Sequence, residues 1–247
     1  MGDAPVVQIV GLYKQLAGAA AGQGISGISY KTFAIINREE KMKSFEEVVQ
    51  FHGHVCPGLA FGFRVAQAAL DAMGARSRDE ELVAVVENCS CAVDAIQVVS
   101  GCTFGKGNLV VRDYGKQVYT FLKRPEGEGV RISVTWIAPP EDEEMTACWQ
   151  RFSRGDRSTE VMRAIKAHKG RKIQAILQAD TEALFEIRRV KEQLPEQARV
   201  NPSIRCARCG EKVMVPRVTI VDKRSLCLPC VDIERGNQEF CKGKTMS

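Results

Sequence analysis

Val118-Tyr119-Thr120-Phe121-Leu122-Lys123-Arg124-Pro125-Glu126-Gly127-Glu128-Gly129-Val130-Arg131-Ile132-Ser133-Val134-Thr135-Trp136-Ile137 is the stretch on which the fold turns. Two runs rich in β-branched and aromatic residues, 118–122 and 130–137, flank a segment punctuated by proline and two glycines. That pattern predicts a hairpin and therefore antiparallel pairing. Downstream, Pro139-Pro140 and an acidic run end the strand pattern. Helices are expected at 142–152 and 158–168. Residues 172–177 read as a further strand or short helix, and 181–194 as a helix with Leu184, Ile187 and Val190 on its apolar face. Upstream, 109–112 reads as a strand, and 82–87, short and β-branched, as a buried one. Strands and helices are segregated rather than alternating, which makes the core α+β with a mixed or antiparallel sheet.

Further upstream, Ser44 and Glu47 form a capping box that starts a helix carrying Phe45, Val48 and Val49. A second helix runs from about Leu59, with Phe63, Ala66, Leu70 and Met73 at helical spacing and Gly74 as its stop. The turn between them, Phe51-His52-Gly53-His54-Val55-Cys56-Pro57-Gly58, holds two of the three histidines of the chain and a cysteine within five residues. Nitrogen and sulfur donors so spaced converge on one ion if the glycines turn the backbone tightly. Pro57 suits the first helical position, which puts Cys56 at a helix N-terminus, where the dipole favours thiolate. After the strand at 82–87, Cys91 precedes a helix ending near Ser100, with Asp94 and Gln97 three apart on one face and Gly101 as cap.

Gly101-Cys102-Thr103-Phe104-Gly105-Lys106-Gly107-Asn108 resembles a phosphate loop only superficially. It is one residue short of the Walker spacing, and Gly107 stands where the magnesium-binding hydroxyl belongs. Contact of Lys106 and the glycine amides with an anion remains open. His168, at a basic helix end, reads as a solvated residue, and Cys148 beside Trp149 as a buried apolar one.

The tail carries Cys206-Ala207-Arg208-Cys209 and Cys227-Leu228-Pro229-Cys230, with 17 residues between the pairs. Two such knuckles at that separation specify a tetrahedral zinc site in a treble-clef or zinc-ribbon layout, and a unit this small needs a staple to fold. Cys241 is left over. Pro195 and Pro202 bracket a linker, so three regions are expected: a poorly ordered extension at 1–41, a core at 42–194 and a zinc finger at 195–247. Within the extension, 32–36 could instead add an edge strand.

Composition bounds the function. The 247 residues are 45% hydrophobic and 26% charged, as in ordinary globular proteins, and no run is long enough for a membrane span. Ten cysteines arranged as knuckles and beside histidines point to metals in a reducing, cytoplasmic setting rather than to disulfides. The net charge of +5 sits mostly in the tail, where nine Lys and Arg face five Asp and Glu from residue 203 onward. Four zinc-bound thiolates would offset it, so no nucleic-acid partner is expected.

From Met42 onward the chain resembles the FmdE family, whose name comes from a component of formylmethanofuran dehydrogenase. The resemblance rests on Phe51 to Leu59, on Cys91-Ala92-Val93-Asp94-Ala95-Ile96-Gln97 running into Gly101 to Leu109, and on the tail knuckles. It implies an α+β core with an auxiliary treble-clef zinc finger, a homodimer, and a pocket holding the His-Gly-His-x-Cys motif, with Cys56, Cys91 and Cys102 in family positions and Cys89 incidental. It further implies an accessory role to molybdenum- or tungsten-dependent one-carbon redox chemistry within a larger oxidoreductase. The chain has no four-cysteine iron–sulfur run of its own for such chemistry.

The leading expectation is a core site for a transition metal or small anionic ligand lined by His52, His54, Cys56, Cys91, Asp94, Gln97, Cys102 and Lys106. His54 and Cys56 are the expected ligands, Cys102 or Cys91 joins them, and Asp94 orients. Zinc, iron and nickel all suit the donors. The alternatives are a stand-alone enzyme using Cys56 as activated thiolate, and a regulatory or interaction module built on the finger formed by Cys206, Cys209, Cys227 and Cys230.

Overall fold

A computed structural model describes residues 42–74 and 76–235. The expectations for residues 1–41 and for Cys241 lie outside them. The capping box forms: Glu47 N–H donates to Ser44 Oγ, and Ser44 N–H to Glu47 Oε2. It starts α1 (Phe45–His52), which Gly53 ends at a φ of 91° that only glycine adopts without strain. Cys56 caps α2 (Pro57–Met73), with Pro57 in the first turn. Then come β1 (Leu82–Val86), α3 (Ala92–Ser100), β2 (Leu109–Val111), β3 (Val118–Lys123), β4 (Glu128–Val134), α4 (Glu143–Ser153), α5 (Thr159–Gln178), α6 (Thr181–Leu184) and β5 (Phe185–Lys191).

The strands form one sheet in the order β2-β1-β3-β4-β5. Only β1 and β2 run parallel; the predicted hairpin is the β3–β4 pair, in the register Phe121↔Val130. The core is therefore α+β with a mixed sheet. Leu82, Ala84, Val86, Tyr119, Phe121, Val130 and Ile132 line one face and pack against Leu59, Phe63 and Ala66 of α2 and Ala95, Ile96 and Val99 of α3. β1 is buried on both faces, as its β-branched run predicts, with Val83 and Val85 also inside.

The helices α2 and α3 approach very closely. A Cβ at Gly62 would lie 2.5 Å from Ala92 Cα and 2.7 Å from its carbonyl carbon, so no side chain fits between them. Since Cys56 precedes α2 and Cys91 precedes α3, this contact fixes the spacing of the two cysteines.

Two expectations are corrected. Residues 172–177 are the continuation of α5, which runs ten residues beyond its expected end: Ile173 and Ile176 pack on Ala60, and Arg64 Nη1 donates to the Ile176 and Leu177 carbonyls at 2.8 and 2.9 Å. Residues 181–194 form one helical turn and then the edge strand β5. The Leu184–Ile187–Val190 spacing imitates a helix, but pairing with β4, Ile132↔Ile187 among the partners, overrides it. His168 also differs from expectation: it is half-buried, its Nε2 3.3 Å from Glu141 Oε1, and its ring meets Trp149 edge-on. Cys148 is buried as expected, with Met145, Val161 and Ile165 in a small core between α4 and α5.

After residues 192–202, which lack regular structure, the tail builds two hairpins, β6 (Ser203–Arg205) with β7 (Lys212–Met214) and β8 (Val218–Val221) with β9 (Arg224–Cys227), followed by α7 (Leu228–Glu234). Asp222 and Lys223 turn β8 into β9 with φ of 47° and 64°. Among the described residues no helix is long and apolar enough to cross a membrane.

Candidate metal centres

The turn between α1 and α2 and the start of α3 bring together His52, His54, Cys56 and Cys91. One donor atom from each lies within 4.8 Å of all the others. Each is delivered by a local device. His52 closes α1, and its Nδ1 is 2.7 Å from Asp94 Oδ2 on the first turn of α3. A carboxylate accepts there from a protonated Nδ1, so in the neutral ring the lone pair falls on Nε2. Nε2 is buried and has no hydrogen-bond partner. A buried polar atom left so costs about 1–3 kcal/mol, which a metal bond would offset.

Cys56 Sγ accepts the Leu59 N–H at 3.3 Å, so its sulfur faces the positive end of a 17-residue helix. The sulfur is thereby held in place at the start of the helix. Cys91 behaves differently. Burial pushes its thiol up, and the neighbouring Cys56 sulfur adds to that. Two sulfurs so close ionise together only at a cost that a cation removes. His54 is exposed, and its ring lies against the His52 ring at 4.3 Å, centroid to centroid, tilted by 38°. Three donors are thus held by burial or hydrogen bonds, and the fourth is the exposed one.

The structure separates other predicted residues from this group. Cys102 is fully buried, its thiol donates to the Leu82 carbonyl at 3.3 Å, and burial pushes it up to about 11. It is a thiol of the sheet–helix core and stands apart from the four donors. Gln97 accepts the Phe104 N–H, and Lys106 Nζ donates to the carbonyls of Arg78 and Asp79, so both brace the glycine-rich loop rather than face the histidines. Asn108, the last residue of that stretch and given no role by its sequence, ties the loop down through Thr103 N–H and the Leu82 and Asp79 carbonyls. Gly62 escapes motif reading as well; its signal is a glycine tolerated in mid-helix, which requires a packing reason. Cys89 is exposed and outside the cluster.

In the tail, Cys206, Cys209, Cys227 and Cys230 likewise gather their sulfurs within 4.8 Å of one another. The first pair flanks the tip joining β6 and β7, where Gly210 takes a φ of 77°; the second pair spans the start of α7. Backbone N–H groups of Cys209 and Cys227 hold the Cys206 thiol down at about 6. Burial and the other three sulfurs push Cys230 up to about 12. Unequal ionisation is what four crowded thiols do without a cation, and a dication resolves it. Among the described residues, Leu226 and Val231 with Cys206, Cys227 and Cys230 make the buried centre of this unit, with Val213 and Val221 packed against it, too little to fold on its own.

Residues 51–186 match the family described as FmdE, molybdenum formylmethanofuran dehydrogenase operon. A protein of Archaeoglobus fulgidus, described as a probable S-adenosyl-L-methionine-binding protein, is 30% identical over 192 residues, which is 73% of this chain and 50% of that protein. The chain therefore spans about half the length of this curated relative. A crystal structure of a tungsten formylmethanofuran dehydrogenase FmdE-like protein from Syntrophus aciditrophicus is 25% identical, with a TM-score of 0.49 over 81% of this chain and 96% of that one.

Proposed function

The chain belongs to the FmdE family, and on that premise we propose that it is a two-metal protein: a transition metal held by His52, His54, Cys56 and Cys91 carries the function, and a zinc held by Cys206, Cys209, Cys227 and Cys230 carries the tail fold. The observation behind this reading is His52, whose Nδ1 is clamped by Asp94 while its buried Nε2 has no partner, in a residue that offers one ring nitrogen within 4.8 Å of three further donors. A carboxylate–histidine pair aimed at two sulfurs and a second imidazole suits zinc best, with iron and nickel sharing the donor preference. Bound there, the metal supplies a Lewis-acidic centre for a small ligand. His54, exposed and held only by its ring contact, is the donor a ligand would displace. Within a formylmethanofuran dehydrogenase-like assembly the chain would act as accessory to the redox catalyst.

Metal analysis of the purified chain tests this. Two metals per chain are expected, falling to one in a His54→Ala, Cys56→Ser double variant that keeps the tail cysteines. A single metal in the parent protein, unchanged in the variant, overturns the core site.

A further inference from the structure

Beside the turn that carries the core donors, one face of α5 lines a cavity of about 790 Å³. Its cations are Arg157, Arg163, Lys166 and Lys169, and among the described residues no carboxylate lines it. The nearest acids in sequence are engaged elsewhere, Asp156 with Arg151 and the Ser158 N–H, Glu160 with Arg151. Two of the cations are already positioned: Arg157 donates to the Phe152 carbonyl and lies 3.8 Å over the Phe152 ring, and Lys169 Nζ is 5.9 Å from the Trp149 ring. Arg163 and Lys166 make no hydrogen bond or ion pair among the described residues and are exposed. Four like charges gathered without a counter-charge repel one another, and an anion relieves that repulsion.

The cavity also has an apolar side. Met162 and Val55, 43% and 51% exposed, line it. Val55 is the residue between His54 and Cys56, so the turn that carries those two donors also supplies one residue of this wall, although none of the four donors lines the cavity itself. The volume of this open groove falls in the range of small-molecule sites, roughly 300–1,000 Å³.

We propose that this cavity binds an organic phosphate, its phosphate on Arg163 and Lys166, its apolar body against Met162 and Val55, and its far end turned toward the metal position beside His54. Arginine and lysine together suit a dianionic phosphate, the fork of one adding direction to the point charge of the other. The inference rests on the reading of His52, His54, Cys56 and Cys91 as a metal centre, and names the class of ligand that centre would meet.

The test is calorimetric titration of the full-length, zinc-loaded protein with phenyl phosphate and with inorganic phosphate at low ionic strength. Phenyl phosphate should bind saturably and more tightly than inorganic phosphate. An Arg163→Ala, Lys166→Ala double variant should bind phenyl phosphate about tenfold more weakly or worse, with metal content and melting temperature unchanged, since both side chains are exposed. Binding by the parent should also weaken as salt is raised toward 0.2 M. Equal affinity of the double variant and the parent overturns the proposal, as does absence of binding to the parent. If the His54→Ala, Cys56→Ser variant loses both its metal and phenyl phosphate while the double cation variant keeps both, the anion sits on the metal alone. The cavity assignment then fails and the metal reading stands. A metal content that never exceeds one per chain removes the metal reading, whatever the titration shows.

Discussion

Replacing Gly62 with alanine should dislodge the core metal without touching any of its ligands. A Cβ at this position would lie 2.5 Å from Ala92 Cα, against 3.4 Å for ordinary contact, so the first turn of α3 must retreat from α2 by about 1 Å. Overpacking of this kind costs about 1–3 kcal/mol. At roughly 2–4 °C per kcal/mol for a chain of this size, the melting temperature should fall by about 2–12 °C. The larger effect is on the metal. Cys91 directly precedes Ala92 and moves with it, while Cys56 stays with α2; ligand distances tolerate only about 0.2 Å. Metal content should therefore drop from two toward one per chain, with the tail metal retained. Gly58→Ala is the control. A Cβ there would meet Cys91 Cβ at 3.4 Å, ordinary contact, so both metals and the melting temperature should survive. A Gly62→Ala protein that melts like the parent and keeps two metals would show that the close approach does not set the donor spacing.

Asp94→Ala removes the acceptor that holds the His52 proton on Nδ1, and should weaken core metal binding about 10–100-fold in chelator competition while sparing the tail; unchanged competition would deny Asp94 its orienting role. In chelator-treated protein at pH 7.5, iodoacetamide should label Cys56 readily, and metal should protect it. Cys102, buried and pushed up to about 11, should stay unlabelled, and peptide mass spectrometry showing early modification of Cys102 would contradict its placement in the core. Asp222→Asn with Lys223→Gly places at the β8–β9 turn the residues that its positive φ values prefer. The tail should resist unfolding by about 0.5–1 kcal/mol more in denaturant titration, and no gain would mean the turn bears no strain.

The parts of the architecture that local chemistry dictates are readable from the residues alone. The β3–β4 hairpin is announced by Pro125, Gly127 and Gly129 between two β-branched runs, the first helix by Ser44 and Glu47, and the second by Pro57. The cluster is legible as well, because His52, His54 and Cys56 are close in sequence and need only a turn to meet. What depends on distant packing is not. β5 carries the Leu184–Ile187–Val190 spacing of a helix and becomes a strand because β4 offers it a free edge. Cys91 and Cys102 each sit beside an end of α3, and nothing local says which one faces the histidines. The choice follows from the Gly62–Ala92 contact, which brings the start of α3 to the turn, and from the path of Cys102 under β1 to the Leu82 carbonyl. The cations just before and along α5 are visible at positions 157, 163, 166 and 169, yet their meaning requires knowing that Val55 borders them.

The register of the last strand pair has its own implication. β4 and β5 are antiparallel neighbours whose pairing reaches Val134↔Phe185, so everything from 135 to 184 is a loop of a hairpin that a handful of residues could have closed. The chain instead spends two long helices there and anchors the second to α2 through Arg64. Length and charge in this excursion can change without altering the order of the strands or the four donors, which lie earlier in the chain. On the proposed function, selectivity for what approaches the core donors should vary independently of the capacity to hold a metal, and related chains with the same donors and a shorter or acidic excursion should accept different ligands.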